Sequence, residues 1–284
     1  MSQSALIAVV VGVLQGIFEW LPISSEGNIT VFLTALGSSP ETAVQFSLFL
    51  HAGTALSAIA YYRDELVDVL GALPAWRPGS AFEPESGTGG VADGRTAQRP
   101  TLSFLAVGTL VSGAVAIAAY ATLESVVSAL TGGAFVALVG ALLVATGIVQ
   151  RVADDVEVIG RGSPTFADAV LVGALQGIAI LPGVSRSGTT ASALLVRGYD
   201  GPSSFRLSFL LSIPAALGAG VLVLADTGVP AVAPSSALLA IATAAVVGYL
   251  TIDALMRIVE RVPFWIVCVG LGGLAMLGGA ALAV

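Results

Sequence analysis

Apolar residues along the chain are grouped in long runs that glycine, proline and short polar segments separate. Six of these runs lie near residues 43–62, 101–122, 126–150, 204–225, 235–257 and 263–284. Each is about 20 residues long, which is the length that an α-helix needs to cross a hydrocarbon core of roughly 30 Å. The pattern therefore predicts six membrane-spanning helices.

Two further apolar segments, 4–38 and 167–196, are interrupted midway by a cluster of proline, glycine and serine. Each half is too short to cross a membrane alone, so each segment is predicted to be a re-entrant helix hairpin. Broken backbone at membrane depth is tolerated only where it is buried in protein or lines a cavity. We therefore expect the functional site at these two hairpins.

The composition agrees with a polytopic all-α membrane protein. Only 10% of the residues are charged, against roughly 25% in soluble domains, and the mean hydropathy is +0.96. The net charge of −7 argues against a nucleic-acid partner. A single cysteine, Cys268, excludes an intrachain disulfide. The segment 74–100 is rich in proline, glycine and charge and is predicted to be an exposed loop.

The placement of arginine predicts the orientation, because short cytoplasmic loops carry the excess of basic residues. Ten of the eleven arginines fall on one side of the predicted spans, whereas the turns near Glu41, Glu124 and Asp226 carry none. Both termini are then expected outside the cell, in a multi-pass protein of the plasma membrane. The first hairpin enters from outside and the second from the cytoplasm.

An internal repeat runs through the chain. Residues 12–28 read GVLQGIFEWLPISSEGN, and residues 173–189 read GALQGIAILPGVSRSGT. The repeat predicts two units, 1–150 and 151–284, each a hairpin followed by three spanning helices. Because three crossings is an odd number, the second unit is predicted to have inverted topology.

An acid and an arginine lie within the predicted hairpins. Gln15 and Glu19 are four residues apart, so a helix projects both from one face. An ionisable residue within a membrane is expensive and suggests a function and a partner, for which Arg186 is the candidate. The alternative is that Glu19 and Arg186 only hold the two units together.

A polar cluster follows the proline of each hairpin: Ser24-Ser25-Glu26-Gly27-Asn28 in the first, and Ser185-Arg186-Ser187-Gly188-Thr189-Thr190 in the second. Each is predicted to start a helix, whose free N–H groups and positive dipole end suit a phosphate. Arg186 adds a planar donor group for phosphate oxygens. The predicted phosphate ligands are Ser24, Gly27, Asn28, Ser185, Arg186, Ser187, Gly188 and Thr190. A carboxylate beside them could hold Mg²⁺ or Ca²⁺ or transfer a proton.

The strings LQGIFEWLPISSEGN, LPGVSRSGTT, FLHAGTALSAIAYYRDEL and RLSFLLSIPAALGAG closely resemble the undecaprenyl-diphosphatase family, also called the bacitracin-resistance protein family. The resemblance covers essentially the whole chain. It implies inverted repeats with re-entrant helix pairs. It also implies a membrane phosphatase that removes the terminal phosphate of a polyprenyl diphosphate and so recycles the lipid carrier of cell-envelope glycans.

By this resemblance, Gln15 and Glu19 occupy positions associated with metal binding or acid–base chemistry. Ser25 occupies the position of the proposed nucleophile or phosphate ligand, and Arg186 would bind the diphosphate, so Glu19, Ser25 and Arg186 are the expected catalytic residues. The chain departs from the family where its first motif usually ends in Ser-Gly-His, since it has Glu26-Gly27-Asn28. Asn28 cannot act as a base near neutral pH, so either Glu19 or Glu26 would take the proton, or hydrolysis is weakened or lost.

The only histidine, His51, lies in the first spanning helix, and we expect it to be packed and hydrogen-bonded rather than catalytic. The glycine pairs Gly272-Gly273 and Gly278-Gly279 are expected to permit close helix packing.

Three functions are considered for a membrane protein with this sequence. The first is a polyprenyl-diphosphate phosphatase, whose lipid substrate reaches the site from the bilayer. The alternative is a flippase for a polyprenyl phosphate, which broken helices would serve equally well. A membrane scaffold gives no reason to keep Glu19 and Arg186 in lipid. The sequence is also compatible with a homodimer.

Overall fold

The computed structural model of the chain describes residues 3–77, 82, 98–130, 132–226, 228, 233–259 and 261–282. Within these residues the protein is entirely helical. The helices are α1 (Gln3–Phe18), α2 (Ser25–Ala35), α3 (Pro40–Tyr61), α4 (Arg63–Gly71), a short 3₁₀ helix (Leu73–Ala75), α5 (Arg99–Ala129), α6 (Gly132–Asp154), α7 (Phe166–Ile178), α8 (Arg186–Val196), α9 (Gly201–Asp226), α10 (Pro234–Val259) and α11 (Phe264–Leu282).

Six of these helices, α3, α5, α6, α9, α10 and α11, are long and apolar enough to cross a membrane. They coincide with the six apolar runs of the sequence, which confirms a multi-pass membrane protein. One predicted boundary was wrong. The turn expected near Glu124 lies inside α5, which continues to Ala129, and α6 begins at Gly132 rather than at residue 126. The segment around Glu124 holds no glycine or proline, so nothing in it stops the helix before Gly132-Gly133.

The first residues of the predicted loop 74–100 are helical instead. Helix α4 and the 3₁₀ helix Leu73–Ala75 follow α3 directly, so residues 74 and 75 belong to the 3₁₀ helix. Trp76 is tied to α5, since its indole Nε1 donates a hydrogen bond to Ser103 Oγ at 2.9 Å. At the other end, Arg99 already belongs to α5. Residues 78–81 and 83–97 of the predicted loop lie outside the described residues.

Each of the two interrupted segments forms a pair of short helices, α1 with α2 and α7 with α8. Ser24 and Ser185 are the N-caps of α2 and α8, and each hydroxyl accepts a hydrogen bond from the backbone N–H three residues later. The two motifs therefore start helices, as their serine and glycine content predicted. Pro22 in one pair and Gly183, with φ of +101°, in the other lie in the turns between the helices.

The first helix of each pair packs on the opposite half of the chain. Helix α1 lies against α10, and α7 lies against α5. Glycines at matching repeat positions allow both contacts: a Cβ added to Gly12 would come within 2.6 Å of Ala240 O, and one added to Gly173 within 2.6 Å of Gly108 O. Two helices that begin with similar sequences thus use glycines at matching positions for these contacts.

The remaining long helices pair with their counterparts, α3 with α9 and α6 with α11. In the second pair the backbones approach closely at Gly140 and Gly272, where a Cβ on either residue would lie within 2.5–2.6 Å of the other's carbonyl oxygen. Gly279 makes a similar approach to Gly133, whereas an added Cβ at Gly273 or Gly278 would meet no atom within 4 Å. The prediction of close packing therefore holds for one glycine of each C-terminal pair.

Gly272→Ala is expected to destabilise the protein by about 1–3 kcal/mol, because the new methyl group would meet the backbone of α6. Gly273→Ala is the matched control on the same helix and should leave the thermal midpoint unchanged or slightly raised. Thermal unfolding of both variants in detergent measures the difference, and equal midpoints would contradict the described packing of α6 on α11.

Candidate active site

The turns of the two short helix pairs meet inside the protein. The backbone N–H of Gly183 donates to Ser24 Oγ at 3.2 Å, and Ser187 Oγ donates to the carbonyl of Leu21 at 3.3 Å. A Cβ added to Gly27 would lie 2.7 Å from Gly183 N, so glycine is required at this approach. The sequence predicted this meeting of the two polar clusters.

Two further helices hold the first turn in place. The carbonyl of Pro22 accepts hydrogen bonds from Gln150 Nε2 at 2.6 Å and from Cys268 Sγ at 3.1 Å. Gln150 lies on α6 and Cys268 on α11, and both side chains are buried. The first turn is therefore held by α6 and α11 as well as by the second helix pair.

Glu19 lies at the centre of the site and is only 5% exposed. Its Oε1 accepts a hydrogen bond from Arg186 at 2.6 Å in an ion pair between the two halves of the chain. Its Oε2 accepts from Ser25 Oγ at 2.7 Å and from Gln15 Nε2 at 3.0 Å. Glu19 thus contacts both of the other expected catalytic residues, Ser25 and Arg186.

His51 also reaches this carboxylate, with its Nε2 3.4 Å from Glu19 Oε2. Its other ring nitrogen, Nδ1, lies 2.9 Å from the carbonyl oxygen of Ser47. The histidine is packed and hydrogen-bonded, as expected, but it belongs to the site although it is far from the hairpins in sequence. A signal was present: Ser47, His51 and Thr54 are spaced i, i+4 and i+7 and form a polar stripe on an apolar helix.

Several polar atoms at the site have no hydrogen-bond partner among the described residues. They are Arg186 Nη1, Glu26 Oε1 and Gln15 Oε1, all of them buried. A small polar cavity of about 20 Å³ lies between the two turns, bordered by Glu19, Ser25, Ser185 and Arg186 among others. Unpaired buried donors and acceptors around a polar cavity indicate groups that a ligand would satisfy.

Like Ser187, the predicted phosphate ligands Asn28 and Thr190 donate to backbone carbonyls in this structure. Asn28 Nδ2 donates to the carbonyls of Ile23 at 2.7 Å and Ser24 at 2.9 Å. The Asn28 side chain does not border the polar cavity. Thr190 Oγ1 donates to the carbonyl of Arg186 at 2.8 Å. Both side chains thus contribute to the backbone geometry around the cavity.

An apolar groove of about 410 Å³ adjoins the polar cavity and runs between α5 and α9. Small residues shape much of it, among them Gly113, Ala116, Ala215 and Gly218. Ile117 and Val221, which also line it, are 64% and 65% exposed, so the groove opens on the outer surface of the helices. Such a groove suits an extended hydrocarbon chain that enters from the side.

The oxygen atoms at the site fit a divalent cation only in part. Glu26 Oε1 and Gln15 Oε1 are unpartnered hard donors of the kind that Mg²⁺ and Ca²⁺ prefer. Among the described residues, no three His, Cys, Asp or Glu side chains are grouped so that they could hold a metal ion. A cation here would therefore need phosphate oxygens to complete its coordination.

Comparison with known proteins agrees with this chemistry. The family model described as Bacitracin resistance protein BacA matches residues 8–274. An undecaprenyl-diphosphatase of Haloarcula marismortui is 51% identical over 281 residues, which cover 98% of each chain. Undecaprenyl-diphosphatases of Methanococcoides burtonii and Methanopyrus kandleri are 35% and 36% identical, each over 276 residues that cover 95% of this chain and 96% and 94% of those proteins.

Removing one partner of the buried ion pair is expected to lower the stability of the protein. Glu19→Gln and Arg186→Gln should each lower the stability by about 3 kcal/mol, because each leaves an unpaired buried charge. The double variant should lose clearly less than the sum of the two. Unfolding of the four proteins in detergent measures the coupling, and additive losses would show that the two side chains do not interact.

Proposed function

The chain belongs to the Bacitracin resistance protein BacA family, and we propose that it is an undecaprenyl-diphosphatase. It hydrolyses the lipid diphosphate to the monophosphate and inorganic phosphate, which returns the lipid carrier to cell-envelope glycan synthesis. The observation that carries the proposal is the contact of Glu19, Ser25 and Arg186 between two helix N-termini, at the inner end of an apolar groove. The names of the relatives favour hydrolysis over transport of the lipid.

The proposed setting is the plasma membrane, with both termini outside. We interpret α1–α2 and α7–α8 as re-entrant pairs in two inverted repeats. The matching glycine contacts of α1 and α7 support the repeat, and the arginines on one side of the spans support the orientation. The ion pair between Glu19 and Arg186 then joins hairpins that enter from opposite sides.

The diphosphate is bound where the two helices begin. The N-termini of α2 and α8 present backbone N–H groups beside the positive ends of two helix dipoles. Arg186 lines the cavity between these N-termini, and its Nη1, which has no hydrogen-bond partner among the described residues, offers a donor to a phosphate oxygen. These groups bind the phosphate anion and do not select the hydrocarbon chain attached to it.

Ser25 is the proposed nucleophile and Glu19 its base. The Ser25 hydroxyl already donates to Glu19 Oε2 at 2.7 Å, which is the geometry of a nucleophile paired with a base. When the phosphate takes over Arg186, the carboxylate loses its strongest partner and is free to accept the serine proton. Substrate binding thereby activates the nucleophile.

A divalent cation, when bound, would neutralise charge on the diphosphate oxygens. The residues available to hold it are Glu26 and Gln15, whose unpartnered oxygens are described above. Glu19 could join them through Oε1, which accepts a hydrogen bond from Arg186 and keeps a second lone pair.

Purified protein is expected to release phosphate from undecaprenyl diphosphate in detergent, faster with Mg²⁺ or Ca²⁺ than with chelator. Ser25→Ala and Arg186→Ala should each reduce kcat/KM by at least about 100-fold, since they remove the nucleophile and the charge that orients it. Release of inorganic phosphate measures the rate.

Ser57→Ala serves as the control for that assay. Ser57 is buried on α3 and donates to the carbonyl of Ala245 at 2.7 Å, and it lines neither the polar cavity nor the groove. Its loss should leave turnover near that of the wild type. A folded wild-type protein that binds the lipid without releasing phosphate would instead support transport.

The groove predicts a dependence on chain length. An added Cβ at Gly218 meets no atom within 4 Å, so Gly218→Leu fills groove space without disturbing the fold. We expect KM for undecaprenyl diphosphate to rise roughly tenfold and KM for farnesyl diphosphate to rise less. Gly270→Leu, at an equally open position outside the groove, is the control. Equal effects of both variants would contradict the groove as the lipid site.

A further inference from the structure

Glu26, His51, Ala179 and Arg186 border both the polar cavity and the apolar groove. They therefore mark the junction between the place for the terminal phosphate and the place for the hydrocarbon chain. In a polyprenyl diphosphate, the oxygen that bridges the two phosphorus atoms lies between those parts. That oxygen leaves with the lipid when the terminal phosphate is transferred, so a group at the junction faces the leaving oxygen.

His51 is held so that one ring nitrogen faces this junction. Its Nδ1 lies 2.9 Å from the carbonyl oxygen of Ser47, which can only accept a hydrogen bond, so Nδ1 carries a proton. Its Nε2 faces Glu19 Oε2 at 3.4 Å. Because Nδ1 is held on the Ser47 carbonyl, Nε2 is the ring nitrogen that can donate a proton at the junction when the ring is protonated.

The same carboxylate oxygen connects the nucleophile with His51. Glu19 Oε2 accepts from Ser25 Oγ at 2.7 Å and lies 3.4 Å from His51 Nε2. A proton that leaves the serine can thus reach the imidazole through a single oxygen atom. Asn28 has no part in this connection, because its amide is bonded to the carbonyls of Ile23 and Ser24.

We propose that His51 is a further catalytic residue, which donates a proton from Nε2 to the bridging oxygen as that oxygen leaves. The proposal rests on the phosphatase function proposed above. Ser25 Oγ forms a bond to the terminal phosphorus while the bond from phosphorus to the bridging oxygen breaks. The electron pair stays on that oxygen, which takes the Nε2 proton, and the serine proton passes to Glu19 and restores His51.

Water then completes the cycle. Its oxygen bonds to the phosphorus held on Ser25, and the bond between phosphorus and Ser25 Oγ breaks. One water proton passes to Glu19 and from there to the serine oxygen, while the other stays on the released phosphate. Both steps balance without an additional reactant.

The test compares two substrates and uses His51→Asn. Asparagine keeps a donor near the position of Nδ1, toward Ser47, but removes Nε2. Undecaprenyl diphosphate is compared with an analogue in which sulfur replaces the bridging oxygen, because a sulfur leaving group needs no proton. We expect kcat to fall about 100-fold on the oxygen-bridged substrate and far less on the sulfur-bridged one, with KM little changed.

Two further variants keep the test decisive. His51→Gln places an amide N–H near the position of Nε2 but cannot transfer a proton, so it should show the same preference for the sulfur-bridged substrate. Ser57→Ala, on the same helix, should show no such preference. Equal losses on both substrates, or full turnover by His51→Asn, would overturn the role of His51. Absence of turnover by the wild-type protein on undecaprenyl diphosphate would instead overturn the proposed function.

Discussion

The buried ion pair between Glu19 and Arg186 is the interaction on which the site depends. A lone charge at this depth would cost several kcal/mol, so each residue is stable there only because the other half of the chain supplies its partner. The two turns must therefore meet, and every helix that fixes their positions contributes to the pair. The hydrogen bonds of this pair are incomplete, since Arg186 Nη1 has no partner in the described part of the chain. That remaining donor is what a phosphate would use.

The meeting of the turns requires unusual backbone. Ser24 is the one described non-glycine residue with positive φ, at +58°, a conformation that costs of the order of 1 kcal/mol or more for such a residue. Its hydroxyl compensates by accepting from both Gly27 N and Gly183 N. Strain at Ser24 thus places the next residue, Ser25, against Glu19 and joins the two helix pairs at the same time. Small residues elsewhere allow the long helices to approach closely enough to hold these turns.

The amino-acid sequence predicted much of this arrangement for identifiable reasons. Apolar length located the six long helices, and the cost of charge in lipid singled out Glu19 and Arg186 before any contact was known. Sequence patterns gave wrong predictions where the position of a residue depends on how the helices pack. His51 was placed away from the chemistry because separation in sequence does not show how α3 packs beside α2, although its spacing from Ser47 and Thr54 carried the information. The end of α5 was misplaced because the charged residue Glu124 was interpreted as a turn, whereas the helix continues to Ala129 and Leu130 is extended.

The central claim is that the diphosphate lies between the N-termini of α2 and α8. A structure of the protein with a methylene-bridged, non-hydrolysable analogue of undecaprenyl diphosphate tests it most directly. We expect the terminal phosphonate beside Ser25 and Arg186, the methylene bridge beside His51, and the lipid chain in the groove between α5 and α9. A headgroup bound elsewhere, with the Glu19–Arg186 pair unchanged, would contradict it.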